Sequence, residues 1–305
     1  MPEGHSVHRI ALQFERDIVG HRVATSSPQG RFAEGAALLD GRTVLESTAV
    51  GKHLLLGFEG ALTLHVHLGL YGAWDFLGRV SPLFPDGRAG SSIGAPRRRR
   101  AVRLSETEHE TDGDLDEFPP APVGAVRVRI MTDETVADLR GPTACEVMDP
   151  SQVEALLARL GPDPAVDDSD DARDRFVDRL RRTATPVGLV LMDQSVVSGI
   201  GNIYRAELLY RAGLDPHTPG KLVPLELARE LWNDWALLLD DGIRTGMMIT
   251  RRGLTETERA KAVRSRAERN YVYKREGLPC RVCGTNVLLE EIGARKLYWC
   301  PVCQS

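Results

Sequence analysis

The chain begins with the residues MPEGHS, in which Pro2 and Glu3 could do chemistry. Initiator methionine is readily removed before proline, and its removal would expose the secondary amine of Pro2. An α-amino group has a pKa of about 7.7–8.0, so much of it is neutral and nucleophilic near neutral pH. Attack of this amine on an aldehyde-like carbon gives a cationic iminium, which acts as an electron sink. Glu3 stands one residue away and could move protons. In most proteins a proline in second place has no such role, so this hypothesis needs support from elsewhere in the chain.

Four cysteines crowd into the last 26 residues with a spacing typical of a metal site. They form the pairs Cys280-x2-Cys283 and Cys300-x2-Cys303, separated by 16 residues. Two such pairs on tight turns place four thiolates tetrahedrally around one zinc ion. Because four protein ligands leave no open position, the pattern predicts a single structural Zn²⁺ and a small module that needs it for folding. With no secretory signal in the sequence, a metal site is favoured over disulfides.

Two further positions could bind phosphate, and a third carries a lysine about which the spacing says nothing more. Asn202 follows a glycine-bearing turn at the predicted start of a helix, where unpaired N–H groups favour anions. An ordinary helix cap would have the same residues. Lys52 follows a glycine and precedes a short apolar run that predicts a buried strand. Arg295 lies near the predicted hairpin tip of the cysteine module, where a cation either stays solvated or reaches a phosphate.

The composition is that of an ordinary globular protein whose charge is unevenly distributed. The 305 residues are 42% hydrophobic and 27% charged, enough for two domains and a small module. The net charge is −4, but residues 244–305 hold thirteen Lys/Arg against six Glu, and acids gather in 106–117 and 163–174. Such a basic C-terminal region is compatible with a phosphate-binding face. No apolar run approaches the roughly 18 residues of a membrane span, and the start is too polar for a signal peptide.

Periodic patterns predict strands in the first half of the chain and helices in the second. A first helix is predicted at 7–18, and hairpins are predicted at 53–68 and 126–139. Residues 78–124 are rich in Pro, Gly, Arg and acids, which favours a mostly disordered insertion. Its four arginines at 97–100 could touch DNA, although a solvated loop has the same composition.

Together these motifs resemble the formamidopyrimidine-DNA glycosylase/endonuclease VIII family of base-excision repair enzymes. The resemblance is carried, in family order, by the Pro2-Glu3 start, Gly51-Lys52, the turn Gly199-Ile200-Gly201-Asn202 and the four-cysteine terminus. It covers nearly the whole chain except residues 78–124. Four motifs in this order are far more specific than any one of them, and they support Pro2 as a nucleophile.

The resemblance implies an α+β fold built from three parts. An N-terminal β-sandwich domain would occupy residues 1–145, with 78–124 as a flexible insertion. A helical, DNA-binding helix–two-turns–helix domain would occupy 146–265. A four-cysteine zinc finger would occupy 266–305.

The resemblance also implies a mechanism. Pro2 would attack C1′ of a damaged nucleotide after its base is flipped out of the duplex. Glu3 would act as general acid/base at the sugar, while Lys52 would contact phosphate near the lesion and assist proton transfer in elimination. Arg295 would grip phosphate and support the second elimination. An iminium at C1′ acidifies the C2′ protons, so base removal leads directly into strand cleavage. The implied activity is that of a bifunctional DNA glycosylase/abasic-site lyase using β/δ-elimination.

Further residues would contact DNA by the same resemblance. Asn202 and Arg159 would bind backbone phosphates, while Leu70 and Tyr71 would fill the gap left by the extruded base. The implied partner is damaged double-stranded DNA, with no role for a membrane. We expect a monomer in the bacterial cytoplasm, associated with the nucleoid when bound to DNA.

The sequence motifs indicate the family more clearly than they indicate which damaged base is removed. The MPEG start and Leu70-Tyr71 are closer to the endonuclease VIII branch, which favours oxidised pyrimidines. His5-Ser6 and Gly69 depart from the usual residues of that pattern. A purine-directed enzyme, acting on 8-oxoguanine and formamidopyrimidines, is the alternative within the family. A non-catalytic protein that binds damaged or abasic DNA is the alternative from another class.

Overall fold

The computed structural model describes residues 2–83, 100–104, 109–112 and 118–305. The chain divides into two compact units. The first comprises Met1–Arg159 and Ile243–Gly246, and the second comprises Leu160–Gly242 and Met247–Ser305. Both units mix helices with strands, so the predicted α+β class is confirmed. The division into three domains with the boundaries given above stays a prediction.

In its described part, the first unit has ten strands and three helices. The strands are β1 (Ala24–Ser26), β2 (Val44–Val50), β3 (His53–Phe58), β4 (Leu62–His67), β5 (Ala73–Gly78), β6 (Arg100–Leu104), β7 (His109–Asp112), β8 (Val126–Met131), β9 (Thr135–Arg140) and β10 (Ala144–Met148). The helices are α1 (Gly4–Asp17), α2 (Ala33–Leu39) and α3 (Pro150–Ala158). A six-stranded sheet has the order β1-β8-β9-β5-β6-β7, and a four-stranded sheet has the order β10-β4-β3-β2. Neighbouring strands are antiparallel throughout.

One apolar core joins both sheets to α1. Alternate residues of the strands face it, such as Leu64 and Val66 on β4, because successive side chains of a strand point to opposite faces. From α1, Phe14 meets the rings of Trp74 and Phe76 edge-on, with centroids 4.8 and 5.1 Å apart. Each fully buried side chain of this size contributes about 1.5–3 kcal/mol through burial. The predicted N-terminal β-sandwich is confirmed.

The local predictions for this unit hold except within residues 78–124. The first helix begins at Gly4, three residues earlier than predicted, and both predicted hairpins form as β3–β4 and β8–β9. In the predicted disordered insertion, strands β6 and β7 extend the six-stranded sheet beyond β5. The prediction is wrong for these two strands, because β6 pairs with the open edge of β5 and β7 pairs with β6, which satisfies their backbone groups. Arg97, Arg98 and Arg99 lie outside the described residues.

The second unit is helical and ends in a small hairpin. Its helices are α4 (Asp170–Arg181), α5 (Val187–Val190), α6 (Asn202–Arg211), α7 (Leu225–Thr245) and α8 (Glu256–Arg264). Its strands are β11 (Leu288–Ile292) and β12 (Arg295–Trp299). Trp235 of α7 packs edge-on against Tyr204 of α6, with ring centroids 4.6 Å apart. A second cluster joins Ala206 and Tyr210 of α6 to the cysteine module, so α6 is the element on which that module rests.

Candidate active site

The amino end of the chain is held by α1. Glu3 is the last residue before the helix, with extended backbone, and its carbonyl accepts the N–H of Ser6 at 3.0 Å. Pro2 is buried, and Glu3 is only 1% exposed. The Glu3 carboxylate does not cap its own helix. Because Ile10 and Phe14 bury one face of α1 in the core, the helix fixes the position of the Pro2 amine and of the neighbouring carboxylate.

Lys52 lies in a two-residue turn between β2 and β3. Val50 and His53 are paired on either side of the turn, and Gly51 has a φ of +58°, which a glycine adopts without strain. Lys52 is only 9% exposed. Burial is the main cause that lowers the pKa of His53 and of His67, and the charge of Lys52 lowers both further. Lys52 therefore acts on a cluster of histidines that begins at its neighbour His53.

Three histidines and a glutamate form that cluster, which sequence reasoning missed. His53 Nδ1 lies 2.9 Å from His65 Nε2, and His65 Nδ1 lies 2.9 Å from Glu146 Oε1. The His53 and His67 rings have centroids 5.0 Å apart. The alternation of His65 and His67 along β4 was visible in the sequence as one face of a strand. Their partners on β3 and β10 are set by strand register, which the sequence pattern did not specify.

Burial and nearby charges keep the imidazoles of His53 and His67 neutral near pH 7. Burial, followed by the effects of His67, His65, Lys52 and Arg159, lowers the pKa of His53 to about 3. The same causes, burial first and then Lys52 and His65, lower the pKa of His67. Arg159, the other predicted phosphate contact near this cluster, follows α3 and is exposed, and its charge acts on His53 as that of Lys52 does.

Leu70 and Tyr71 lie at the tip of the connection between β4 and β5. Leu70 is 50% and Tyr71 is 85% exposed, an unusual position for two large apolar side chains. Gly69 has a φ of +66°, and a Cβ there would collide with the Thr143 hydroxyl. The loop therefore needs glycine at position 69, which gives a structural reason for that departure from the endonuclease VIII pattern.

Asn202 is the first residue of α6, as predicted, but its amide has partners within the protein. Its Nδ2 donates to the carbonyl of Lys296 at 2.9 Å, and its Oδ1 accepts from Arg205 Nη2. The same Arg205 nitrogen donates to the Lys296 carbonyl at 2.9 Å. Arg205 is fully buried. This network, also missed from the sequence, ties the start of α6 to the terminal hairpin.

Arg295 stands at the tip of that hairpin. Gly293 and Ala294 have φ values of +57° and +56°, the signature of a two-residue type I′ turn between β11 and β12. Arg295 follows as the first residue of β12 and is exposed. Because Lys296 is its neighbour, the hydrogen bonds to the Lys296 carbonyl hold Arg295 in a defined relation to Asn202. The structure thus brings these two predicted phosphate contacts together.

The four terminal cysteines converge as the sequence predicts. The Sγ atoms of Cys280 and Cys303 are 3.8 Å apart, those of Cys283 and Cys300 are 3.4 Å apart, and all four lie within 4.8 Å of one another. A tetrahedron with Zn–S bonds of about 2.3 Å requires sulfur–sulfur distances of about 3.8 Å. The cluster therefore fits a zinc ion with four protein ligands.

Residues around the cysteines support the same assignment. The Tyr210 hydroxyl lies 3.1 Å from Cys280 Sγ. Burial and the neighbouring sulfurs raise the pKa of Tyr210, so its O–H remains a donor to thiolate. Gln304 accepts the backbone N–H of Cys300 at 2.9 Å and donates to the Leu214 carbonyl at 3.1 Å. Such outer contacts orient the ligands of a metal site.

Three family models match consecutive parts of the chain. The N-terminal domain of formamidopyrimidine-DNA glycosylase matches residues 1–138, and the H2TH domain of the same family matches 160–253. A zinc finger found in this glycosylase and in isoleucyl-tRNA synthetase matches 277–305. Together with the sulfur geometry, this match makes the four-cysteine cluster a structural zinc site.

Relatives with names from both branches of the family align over most of the chain. Endonuclease 8 1 of Mycobacterium tuberculosis is 38% identical over 305 residues and covers both chains completely. Probable endonuclease 8 2 of Streptomyces coelicolor is 30% identical, over 100% of this chain and 94% of its own. Formamidopyrimidine-DNA glycosylase of Thermus thermophilus is 30% identical, over 88% of this chain and 85% of its own.

The fold is shared with solved structures. Lactococcus lactis Fpg in complex with DNA containing N7-benzyl-Fapy-dG has a TM-score of 0.73 at 19% identity, covering 99% of both chains. The Thermus thermophilus MutM (Fpg) protein has a TM-score of 0.67 at 24% identity, covering 99% of this chain and 98% of its own. In the described ranges of the present chain, no helix is long and apolar enough to cross a membrane.

Proposed function

Because this chain belongs to the formamidopyrimidine-DNA glycosylase/endonuclease VIII family, whose members are DNA glycosylases with abasic-site lyase activity, we propose that Pro2 is its nucleophile. The observation that carries the proposal is the setting of the amine. Pro2 lies two residues before a helix anchored in the core, with the buried Glu3 between them. A free secondary amine held in this rigid setting can be aligned with C1′ of a nucleotide, which is the main requirement for an addition reaction.

The reaction runs through one covalent intermediate. The Pro2 nitrogen bonds to C1′ and loses its proton, and the damaged base leaves with the electron pair of the glycosidic bond. The C1′–O4′ bond then breaks as the nitrogen lone pair forms the iminium, and O4′ takes a proton with the assistance of Glu3. The resulting iminium makes a C2′ proton acidic. Loss of that proton breaks the bond from C3′ to phosphate, with Lys52 assisting the transfer. A second elimination, supported by Arg295, releases the other phosphate, and hydrolysis of the iminium frees Pro2.

Damaged double-stranded DNA is the substrate that this mechanism requires. We propose that Asn202, Arg295 and Arg159 bind its backbone phosphates, and that Leu70 and Tyr71 fill the gap left by the flipped base. Two large, exposed apolar side chains at the tip of a tight loop suit such a wedge. The enzyme would act on DNA of the cytoplasmic nucleoid, as a monomer.

Among the possible lesions, we propose oxidised pyrimidines. The Leu70-Tyr71 loop and the 38% identity to an endonuclease 8 over the full chain favour that branch. The purine-directed alternative is tested with matched duplexes that carry thymine glycol, 5-hydroxyuracil, 8-oxoguanine or a formamidopyrimidine. Faster single-turnover excision of either purine lesion would replace the pyrimidine proposal.

The Pro2 proposal is tested by trapping the iminium with borohydride on a duplex with a preformed abasic site. Mature protein that begins at Pro2 should give a stable protein–DNA adduct. An added alanine before Pro2 turns the amine into an amide, so the adduct and strand cleavage should both disappear while duplex binding persists. An equal adduct yield from the blocked protein would assign the chemistry to another amine, with Lys52 tested next. Tight binding without nicking by mature protein would instead support the non-catalytic alternative.

Glu3→Gln provides a second test of the assigned roles. This variant keeps the amine but weakens proton transfer at the sugar. It should slow excision of an intact damaged base by about 10²–10⁴-fold. Cleavage at a preformed abasic site, where no base has to leave, should be affected less. Equal slowing on both substrates would remove Glu3 from the base-release step.

A further inference from the structure

A polar line crosses one face of the four-stranded sheet and ends beside Lys52. Glu146 of β10 lies directly opposite His65 of β4, so their side chains share one face of the sheet. His53 lies one diagonal step away on β3, since His65 pairs with Leu55. This face points away from the core residues Leu64 and Val66. Three strands therefore contribute one connected row of side chains.

The hydrogen bonds in this row have a definite direction. A carboxylate only accepts, so His65 Nδ1 donates to Glu146 across 2.9 Å. In a neutral imidazole the other nitrogen is then an acceptor, so His65 Nε2 accepts from His53 Nδ1 across 2.9 Å. By the same rule, His53 Nε2 carries a lone pair. The row thus has a proton acceptor at each end, a carboxylate and an imidazole nitrogen.

The two ends differ in their surroundings. The Glu146 side chain is 54% exposed, whereas that of His65 is only 4% exposed. Leu55 beside His65 packs under Leu156 of α3, which contributes to that burial. At the inner end, burial above all disfavours the charged form of His53, followed by His67, His65, Lys52 and Arg159. The row therefore leads from solvent at Glu146 to a neutral imidazole beside the Lys52 ammonium group.

If the row of His53, His65 and Glu146 served only to stabilise the fold, it would need neither a carboxylate nor a link to solvent. Buried histidines commonly satisfy one another, and the stacked His53 and His65 rings, 5.1 Å apart between centroids, would do so without a carboxylate. Here a solvent-linked acid ends the row on one side, and the residue proposed to assist elimination begins it on the other.

We propose that Glu146, His65 and His53 form a proton relay between Lys52 and solvent during strand cleavage. The inference rests on the proposed function of Lys52. The Lys52 ammonium group passes a proton to His53 Nε2, and the amine so formed takes up the proton from C2′. The Nδ1 proton of His53 moves to His65 Nε2, and the Nδ1 proton of His65 moves to Glu146, which releases it to water. One proton enters the row and one leaves. His53 and His65 act through Lys52 and are positioning residues.

The relay is tested by single-turnover cleavage of a duplex with a preformed abasic site between pH 5.5 and 9. His65→Phe keeps the bulk of the ring and removes both proton positions, so the elimination rate should fall by about tenfold or more. Glu146→Gln removes the final acceptor and the charge that favours protons in the row. Its rate should fall severalfold, and the acid limb of its pH profile should move to lower pH. Glu46→Gln, which removes a charge from β2 of the same sheet, is the matched control and should follow the wild type.

Two further readouts distinguish a relay from a structural role. In mixtures of H₂O and D₂O the wild-type rate should follow a curved proton inventory, because several protons move together, and His65→Phe should give a straight line. Added imidazole should restore part of the rate of His53→Ala, which a packing defect would not allow. A Glu146→Gln variant with the wild-type pH profile and a curved inventory would overturn the relay, even if His65→Phe fails to fold.

Borohydride trapping separates this inference from the proposal on Pro2. The relay acts after the iminium has formed, so adduct yields on the abasic duplex should stay within about twofold of wild type in Glu146→Gln. No adduct with the mature wild-type protein would overturn the Pro2 mechanism and the relay with it. A normal adduct with unchanged elimination in all three relay variants would overturn the relay alone.

Discussion

The two units hold their functional side chains by different physical means. In the first unit, one apolar core with buried aromatic residues fixes α1, which follows Pro2 and Glu3. The same core fixes the strands on either side of Lys52. In the second unit, hydrogen bonds to the Lys296 carbonyl join Asn202 to the hairpin of Arg295. This hairpin lies between the two cysteine pairs of the zinc site. Apolar packing therefore positions the proposed catalytic residues, whereas hydrogen bonds and the zinc site position the proposed phosphate contacts.

Because of this difference, we expect the stability of the two units to respond differently to chelators and to pH. Apolar burial is insensitive to chelators and changes little with pH, whereas metal ligation responds to both and ion pairs respond to pH. Buried imidazoles make the first unit sensitive to pH as well, but their pKa values are lowered, whereas the pKa of His217 in the second unit is raised.

The largest effect should follow loss of zinc. Cys283→Ser removes one of four ligands, and structural zinc contributes about 10–16 kcal/mol to the folding of comparable peptides. The module should lose its metal and unfold, DNA binding should weaken, and the first unit should stay folded. Zinc content by mass spectrometry and hydrogen exchange of peptides from each unit measure this. Cys145→Ala, outside the cluster, is the control and should keep one zinc ion per chain. Full zinc content in Cys283→Ser would contradict the site.

Acid should destabilise the first unit. Burial, followed by the charges of Arg9 and His8, lowers the pKa of His5 to about 3, and the pKa of His53 is also about 3. A lowered pKa means that this stability is present above the unfolded value of 6.5 and is lost as pH falls toward 3. Protonation of each imidazole should lower the free energy of unfolding by at most about 1.4 kcal/mol per pH unit in that window.

Hydrogen exchange of first-unit peptides between pH 7 and 5, corrected for the intrinsic rate, measures this loss. His53→Gln should reduce the slope of stability against pH, while His21→Gln, which changes an exposed histidine, should leave it unchanged. An identical slope in His53→Gln would show that this imidazole does not control acid stability.

Loss of the proposed phosphate contacts should have a smaller effect, mainly on binding. Arg295→Ala and Asn202→Ala should each lower affinity for an abasic duplex. Arg295→Ala should also reduce the slope of log affinity against log salt by about 0.9, because it removes a cation, whereas Asn202→Ala removes a neutral contact. Asn202→Ala should be more severe, because its amide also holds the Lys296 carbonyl. Arg295→Ala should in addition stall processing after the first elimination.

Binding titrations at several salt concentrations and gel analysis of the cleaved ends test both variants. Lys221→Ala removes an exposed cation from another segment of the same unit and serves as the control. Wild-type affinity, salt dependence and end products would exclude the two residues from the DNA interface.

The smallest effect should come from His217, which links the loop after α6 to β11. Its Nδ1 lies 2.7 Å from Asp215 and its Nε2 lies 2.7 Å from Glu290. Partial burial alone would lower the pKa of His217, but the two carboxylates outweigh it and raise the pKa. This stability is therefore fully present below the unfolded value of 6.5 and is lost as pH rises through the folded value.

Because this ion pair is exposed, we expect it to contribute only about 0.2–1 kcal/mol to the free energy of unfolding. Exchange protection of β11 peptides should fall between pH 6 and 8.5 in the wild type and should be flat in His217→Gln. Glu290→Gln should give an intermediate slope. A protection that rises with pH in the wild type would contradict the sign of this shift and remove the contrast between the units.

Much of the candidate site could be predicted because its signals are local. The CxxC spacing, the proline in second place and the glycine before Lys52 each act within a few residues, and all three lie in the predicted kind of turn or terminus. Strands β6 and β7 were missed, since their composition is that of a loop and they form only because β5 offers an open edge. The partners of Asn202 were missed for a similar reason, because Lys296 is 94 residues away.

The sequence by itself determined which groups are available: an amine next to a carboxylate, a lysine in a hairpin turn and four thiolates at metal spacing. Only the tertiary structure decided which of them act together. Glu146, His65 and His53 lie on three different strands, and a slip of one residue in the register of β10 would turn Glu146 to the opposite face. The spacing of residues along the chain is enough to define a turn or a pair of metal ligands. A row of side chains across a sheet depends instead on the packing that fixes strand register.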